Sequence, residues 1–126
     1  KSNMDYGIFL PIQKAGVVAL NENQNCVETT RQTYIHRRNL MVRCFQEAGW
    51  QIRPNRATMF LWARIPQGYA DSEAFALALL KHCGIIVTPG TSFGREGERY
   101  VRIALVVEDA QIEEAGRRLK ESGLFR

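Results

Sequence analysis

One arginine interrupts an apolar run near the end of this 126-residue chain, Tyr100-Val101-Arg102-Ile103-Ala104-Leu105-Val106-Val107. The run is rich in β-branched residues, which predicts a strand over 101–107. Strand alternation sets Tyr100, Arg102, Ala104 and Val106 on one face and Val101, Ile103, Leu105 and Val107 on the other. Neither face reads as solvated, so the sequence predicts a guanidinium among apolar neighbours. Arginine keeps its charge there, and an unpaired buried charge costs on the order of several kcal/mol. It needs a carboxylate or a phosphate, which its planar fork can grip with two hydrogen bonds. Two sources of that anion are open, an internal ion pair or a bound ligand.

The segment before it, Thr88-Pro89-Gly90-Thr91-Ser92-Phe93-Gly94-Arg95-Glu96-Gly97-Glu98-Arg99, holds three glycines and a proline. That composition predicts tight turning with positive backbone torsions rather than a helix. It is not a P-loop, since no Gly-Lys-Ser/Thr follows, and the dinucleotide fingerprint spacing is absent. With a short buried strand at Ile85-Ile86-Val87 before it, the turn and the arginine strand form one continuous unit. Such a turn either simply connects two strands or brings backbone close enough to hold Arg102 beside a small ligand.

The rest of the chain reads as helices around that unit. A helix is expected over 8–20, with Pro11 in its first turn, then a polar break at 21–25. A long helix follows from Cys26 to Ala48, where Val27, Tyr34, Met41 and Ala48 recur every seven residues and Phe45 joins their stripe. Gly49 ends it. Short strands are expected near 50–53 and 59–65. Asp71 or Ser72 caps a helix to Cys83 with Phe75, Leu79 and Leu80 inward, and Asp109 caps a last helix to Ser122. The sum is an α+β domain: a small mixed or antiparallel sheet covered by helices and preceded by a long connecting helix.

Composition narrows the class. At 45% hydrophobic residues the chain can bury roughly two-thirds of its unfolded surface in one core. It has no apolar run of about 18 residues, hence no predicted membrane span. Lys1 opens the chain without a charged-then-apolar leader, so it reads as an excised piece rather than a secreted precursor. Cys26, Cys44 and Cys83 show no C-x-x-C spacing and read as reduced structural thiols of a cytosolic protein. His36 and His82 have no partner at metal-ligand spacing, so no metal site is expected. The net charge of +4 gathers partly on the long helix, at Arg31, His36, Arg37, Arg38 and Arg43. Glu28 and Glu47 interrupt that patch and no aromatic platform interleaves with it, so it reads as a solvated face, not a nucleic-acid surface.

The ordered motifs resemble a known family. Pro89-Gly90, Phe93-Gly94, Gly97-Glu98 and Tyr100-Val101-Arg102-Ile103-Ala104 are similar to the C-terminal part of class I/II aminotransferases, the fold-type I enzymes dependent on pyridoxal phosphate. Upstream, Asp5-Tyr6-Gly7, Phe9, Pro11 and Gln13 resemble the family's segment leading into a helix after the cofactor-binding region. Arg37-Arg38-Asn39 with Gly49 resembles its long helix, and Arg56-Ala57-Thr58-Met59-Phe60-Leu61-Trp62 with Ile65-Pro66 its next hairpin. The match runs in order along nearly the whole chain. It looks closest to the branch holding alanine (glutamate–pyruvate), LL-diaminopimelate and aspartate aminotransferases.

The resemblance implies that Arg102 binds the substrate α-carboxylate during ping-pong transamination between an amino acid and a 2-oxo acid. It implies pyridoxal 5'-phosphate in the intact enzyme but none bound to this fragment. The family's Ser-Lys-x-x-x-x-x-Gly-x-Arg-like motif is missing, and Lys1 is not its lysine. No catalytic or cofactor-binding residue is therefore expected here, and the fragment alone should be inactive. Residues 1–25 would belong to the large-domain or interface region and 26–126 to the C-terminal small domain, in a cytoplasmic homodimer. Asp5, Tyr6 and Phe9 would help define the neighbouring subunit's substrate pocket. Tyr6 and Phe9 otherwise simply dock the first helix. Thr58, Met59 and Phe60 read as core packing before pocket lining. Two other readings stay open: a stand-alone amino-acid-binding regulatory α+β module, and a structural interaction domain in which Arg102 pairs internally.

Overall fold

A computed structural model describes residues 7–125 of the chain, which divide into two compact units on either side of the Gln32–Thr33 bond. Asp5 and Tyr6 lie outside the described residues.

In the first unit, helix α1 spans Leu10–Asn21, with Pro11 at its N-terminal turn, and it buries none of its residues. Ile8, Phe9, Leu10, Ile12, Val17, Val18 and Leu20 are all more than half exposed. Helix α2, Asn25–Glu47, crosses the division between the units. The seven-residue stripe describes its packing from Tyr34 onward, where Met41 and Phe45 join the core and Tyr34 and Ala48 pack against it, but not at Val27. Leu40, Met41, Val42 and Phe45 are buried, whereas Val27 is exposed and Tyr34 and Ala48 are half-buried. The buried residues cluster in the last two turns of α2, the part inside the second unit, so a stripe along the whole helix is not required.

The second unit is built on a three-stranded antiparallel sheet: β1 (Phe60–Arg64), β2 (Thr88–Pro89) and β3 (Tyr100–Ala104), in the order β1-β3-β2. Trp62 and Thr88 both stand opposite Arg102, one on each flank of β3. Helices α3 (Ser72–Cys83) and α4 (Asp109–Ser122) complete the layer. The expected α+β arrangement is present, in its antiparallel form. One face of the sheet, Leu61, Ala63, Val101 and Ile103, forms the core with Phe45 of α2, Phe75 and Leu79 of α3, and Ile112 and Leu119 of α4. Each of the larger side chains contributes about 1.5–3 kcal/mol by leaving water.

Several expected elements differ, each for a local reason. Residues 50–53 are not a strand: Trp50 and Ile52 are core side chains, the Trp50 amide donates to Phe45 O, and Ile52 O accepts from Gln46 Nε2 at 2.8 Å. Their backbone is thus spent on the end of α2. Trp50 stacks between Phe45 and Phe125, at 5.6 and 5.5 Å, and its indole N–H donates to Arg64 O at 3.0 Å. Ile85-Ile86-Val87 is not a strand either. The Ile85 amide closes the end of α3 on Leu79 O, Ile86 is 82% exposed, and pairing begins only at Thr88. In α3 the inward line is Phe75, Leu79 and Cys83; Leu80, a hundred degrees round from Leu79, is half exposed. Asp71 caps α3 through Ala74 N at 2.8 Å. At α4 the cap is Glu108, through a capping box with Gln111, because Asp109 already begins the helix and engages His36 at 2.7 Å.

Candidate functional site

The centre of the sheet's outer face is Arg102. The expected burial among apolar residues is half true: Val101, Ile103 and Leu105 are buried on the inner face, while Arg102 and Tyr100 are half-buried and Ala104 and Val106 exposed. The guanidinium is sheltered by rings. Its central carbon lies 4.3 Å from the Phe60 ring centroid and 4.7 Å from that of Phe93, within the range of cation–π attraction. One of its five N–H donors reaches a protein acceptor, Thr88 Oγ1, at a long 3.5 Å. Among the described residues no carboxylate lies within ion-pair distance of it, so the internal ion pair is not found there.

Other arginines show what a structural guanidinium looks like in this fold. Arg99, three positions earlier, donates to Tyr69 O at 2.8 Å and to Ala70 O and Pro66 O at 3.3 Å, pinning the chain before α3. Arg38 donates to Asn55 O at 2.9 Å and to Asn39 Oδ1. The basic residues of α2 are thus partly anchors. Arg31 pairs with Glu28 and Arg37 donates to Leu105 O. Arg102 keeps its fork open.

The glycine turn is compact but not helix-free: it forms two 3-10 turns, Gly90–Phe93 and Arg95–Gly97. Within it, a positive torsion occurs at Gly94, φ +117°. Gly90 and Gly97 serve close approach instead. A Cβ on Gly90 would sit 2.0 Å from Gly97 O, and one on Gly97 would sit 2.0 Å from Gly90 O. The turn is moored to α3 at Thr91, whose amide and hydroxyl lie 3.5 Å from the buried Ser72 hydroxyl. Phe93 projects from it, 54% exposed, edge-on to Trp62 at 5.7 Å; Trp62 in turn stacks on Tyr100 at 5.6 Å.

The remaining sequence candidates are distributed as follows. Phe9 precedes α1 in the first unit with its ring 71% exposed, so it does not dock that helix by burial. Thr58 and Met59 are exposed and Phe60 is half-buried against Arg102; none of the three joins the core. Thr58 adopts φ +73°, rare for a β-branched residue. No local pattern displays the neighbours of Arg102: Trp62 and Thr88 reach it through cross-strand register, and Phe93 through the folding of the glycine turn. His36 faces Asp109, and no group of three or more metal-ligating side chains occurs among the described residues. Burial pushes the Cys44 thiol above its ordinary range, as for an inert structural cysteine. No described helix is long and apolar enough to cross a membrane. Chemically, the site is a cation on an aromatic bed, with most of its N–H donors unpartnered among the described residues and so suited to gripping an anion.

The family model for aminotransferase class I and II matches residues 6–119. The chain belongs to the class I and II aminotransferase family. An LL-diaminopimelate aminotransferase of Halothermothrix orenii is 43% identical over 124 residues, 98% of this chain and 32% of that protein. An aminotransferase from Staphylococcus aureus superposes with a TM-score of 0.86 at 32% identity, covering 99% of this chain and 33% of that one. A probable N-succinyldiaminopimelate aminotransferase from Thermus thermophilus does so with a TM-score of 0.82 at 32% identity, over 96% and 32%. The chain therefore spans about a third of the length of the aminotransferases it matches.

Proposed function

We propose that this chain is the carboxylate-binding C-terminal part of a pyridoxal-phosphate-dependent aminotransferase that moves an amino group between an amino acid and a 2-oxo acid. The observation that carries the reading is the open fork of Arg102, half-buried, bedded on Phe60 and Phe93, and without a carboxylate among the described residues. Seating a guanidinium against two rings while most of its N–H donors have no partner among the described residues suits a ligand that brings its own negative charge. The similarity to diaminopimelate aminotransferases supports a substrate of that chemical class, an α-amino acid with its α-carboxylate free.

The described residues do not fit the cofactor itself. Lys14, Lys81 and Lys120 are exposed on helices, whereas a lysine that forms a Schiff base needs a desolvated, activated amine. Pyridoxal phosphate supplies the electron sink of the reaction, and in this reading it is held by parts of the enzyme outside the chain, so the chain alone is inactive. Its contribution is binding and orientation. Two coplanar hydrogen bonds from Arg102 fix the α-carboxylate and thereby the direction of the Cα–H bond, and positioning of that kind contributes several kcal/mol to barrier reduction, roughly.

The same reading assigns residues 26–126 to the small domain and 1–25 to the large-domain side of a homodimer, with Asp5, Tyr6 and Phe9 toward the partner's substrate pocket. The uncovered apolar side chains of α1 support that assignment, since they need protein against them.

The test is Arg102→Lys in the intact polypeptide, which keeps the charge and removes the fork. A charge-assisted pair is worth about 1.5–3 kcal/mol, so kcat/KM should fall about 10- to 100-fold for the amino acid and the 2-oxo acid alike. An unchanged kcat/KM for both overturns the assignment.

A further inference from the structure

Arginine offers two different surfaces. Its N–H groups radiate in the guanidinium plane, while its faces are weakly hydrated and stack on aromatic rings. A carboxylate must arrive at the edge, in that plane, to form both hydrogen bonds. Arginine is also among the side chains richest in rotamers, so an unrestrained Arg102 would present its edge in many directions. Hydrogen bonds do not restrain it, since its one described partner is Thr88 at 3.5 Å. Rings do.

The two rings differ in how they are held. Phe60 belongs to β1 and is fixed by pairing with Ala104. Phe93 lies outside the sheet and is more than half exposed. It is brought into place by the interlocked backbones of Gly90 and Gly97 and by its edge contact with Trp62, which is itself stacked on Tyr100. An exposed phenylalanine held by such an arrangement, 4.7 Å from the guanidinium carbon, contributes little to the core. We propose that Phe93 is a positioning residue: glycine turn and Trp62 set its ring, the ring sets the plane of Arg102, and the N–H edge is thereby presented to an incoming α-carboxylate. The inference rests on Arg102 being the carboxylate ligand and adds the group that orients it.

The experiment uses the intact polypeptide and measures the Kd of 2-oxoglutarate by calorimetry beside KM and kcat. The variants are Phe93→Leu, Phe93→Tyr, Arg102→Lys and the double variant Phe93→Leu/Arg102→Lys. Losing the ring should weaken Kd and raise KM about tenfold, with kcat changed by less than about threefold. Phe93→Tyr keeps the ring and should stay within about twofold of the parent protein. In the Arg102→Lys background, Phe93→Leu should add nothing, because the fork it orients is gone. Should the leucine variant fail to fold, the volume-conserving Phe93→Met takes its place with the same expected loss. Unchanged affinity in the leucine or methionine variant, with Arg102→Lys impaired, overturns the positioning role and leaves the Arg102 assignment standing. Independent, additive losses also overturn it, by showing that the ring acts elsewhere. Unchanged affinity in Arg102→Lys removes the assignment and this inference with it.

Discussion

The two faces of the β1–β3 ladder share one backbone and differ in almost everything else. On the inner face Leu61, Ala63, Val101 and Ile103 are at most 5% exposed and meet three helices. On the outer face Phe60, Trp62, Arg64, Tyr100, Arg102 and Ala104 stay half-buried or exposed, and their contacts are mostly ring against ring or ring against cation. The inner face is apolar surface removed from water, which is non-directional and large. The outer face depends on geometry. Alternation puts both on one strand, so the residues that stabilise the sheet are next in sequence to those that recognise a ligand.

That division makes a sharp prediction for stability. Truncating Ile103 to alanine leaves a cavity against the helices and should cost about 2–5 kcal/mol. Val106→Ala, at a side chain 51% exposed beyond the same strand, should cost within about 0.5 kcal/mol. Urea unfolding monitored by circular dichroism compares the two directly. If Val106→Ala proves as costly as Ile103→Ala, the outer side carries more of the fold's stability than its exposure implies.

The glycine turn is where the two faces stop being independent. Gly90→Ala would place a methyl 2.0 Å from Gly97 O and 2.6 Å from Tyr100 O, both backbone atoms that cannot swing aside. The turn must open, at an expected cost of about 1–3 kcal/mol. Opening also displaces Phe93, so carboxylate affinity should fall in the same variant. A Gly94→Ala control meets nothing within 4 Å but sits at φ +117°, so it strains the backbone without forcing Gly90 and Gly97 apart. Thermal unfolding and a 2-oxoglutarate titration, run side by side on both, separate strain from displacement.

Much of this was readable from the sequence because it is local. Asp71 before an apolar helix, Gly49 after a helix end, and the alternation around Arg102 each follow from chain chemistry within a few residues. The failures are non-local. Trp50 and Ile52 carry strand-like composition, yet their backbone groups are taken by α2. Ile86 belongs to an apolar run, yet it points outward because only Thr88 and Pro89 reach the β3 ladder. Arg102 was found because a charge in an apolar strand is locally anomalous; Phe93 and Trp62 were not, because phenylalanine in a turn and tryptophan in a strand are individually unremarkable. Their meaning lies in the register that sets Trp62 opposite Arg102 and in the turn that brings Phe93 against both.

The weakest expected effect concerns arginines that, unlike Arg102, have found their carboxylates. On α4, Glu114 receives Arg117 at 2.7 Å and Arg118 at 2.8 Å, and these hydrogen bonds lower its pKa to about 2. A folded-state pKa below the unfolded one means that the pairs add stability above about pH 4.5, lost as the pH falls toward 2. The groups are solvent-exposed, so screening keeps the gain small. Glu114→Gln should therefore lower Tm by about 1–2 °C at pH 6, with the difference from the parent protein closing by pH 2 and shrinking in about 0.5 M salt, where the screening length is only about 4 Å. A difference that persists at pH 2 would mean that Glu114 acts through packing.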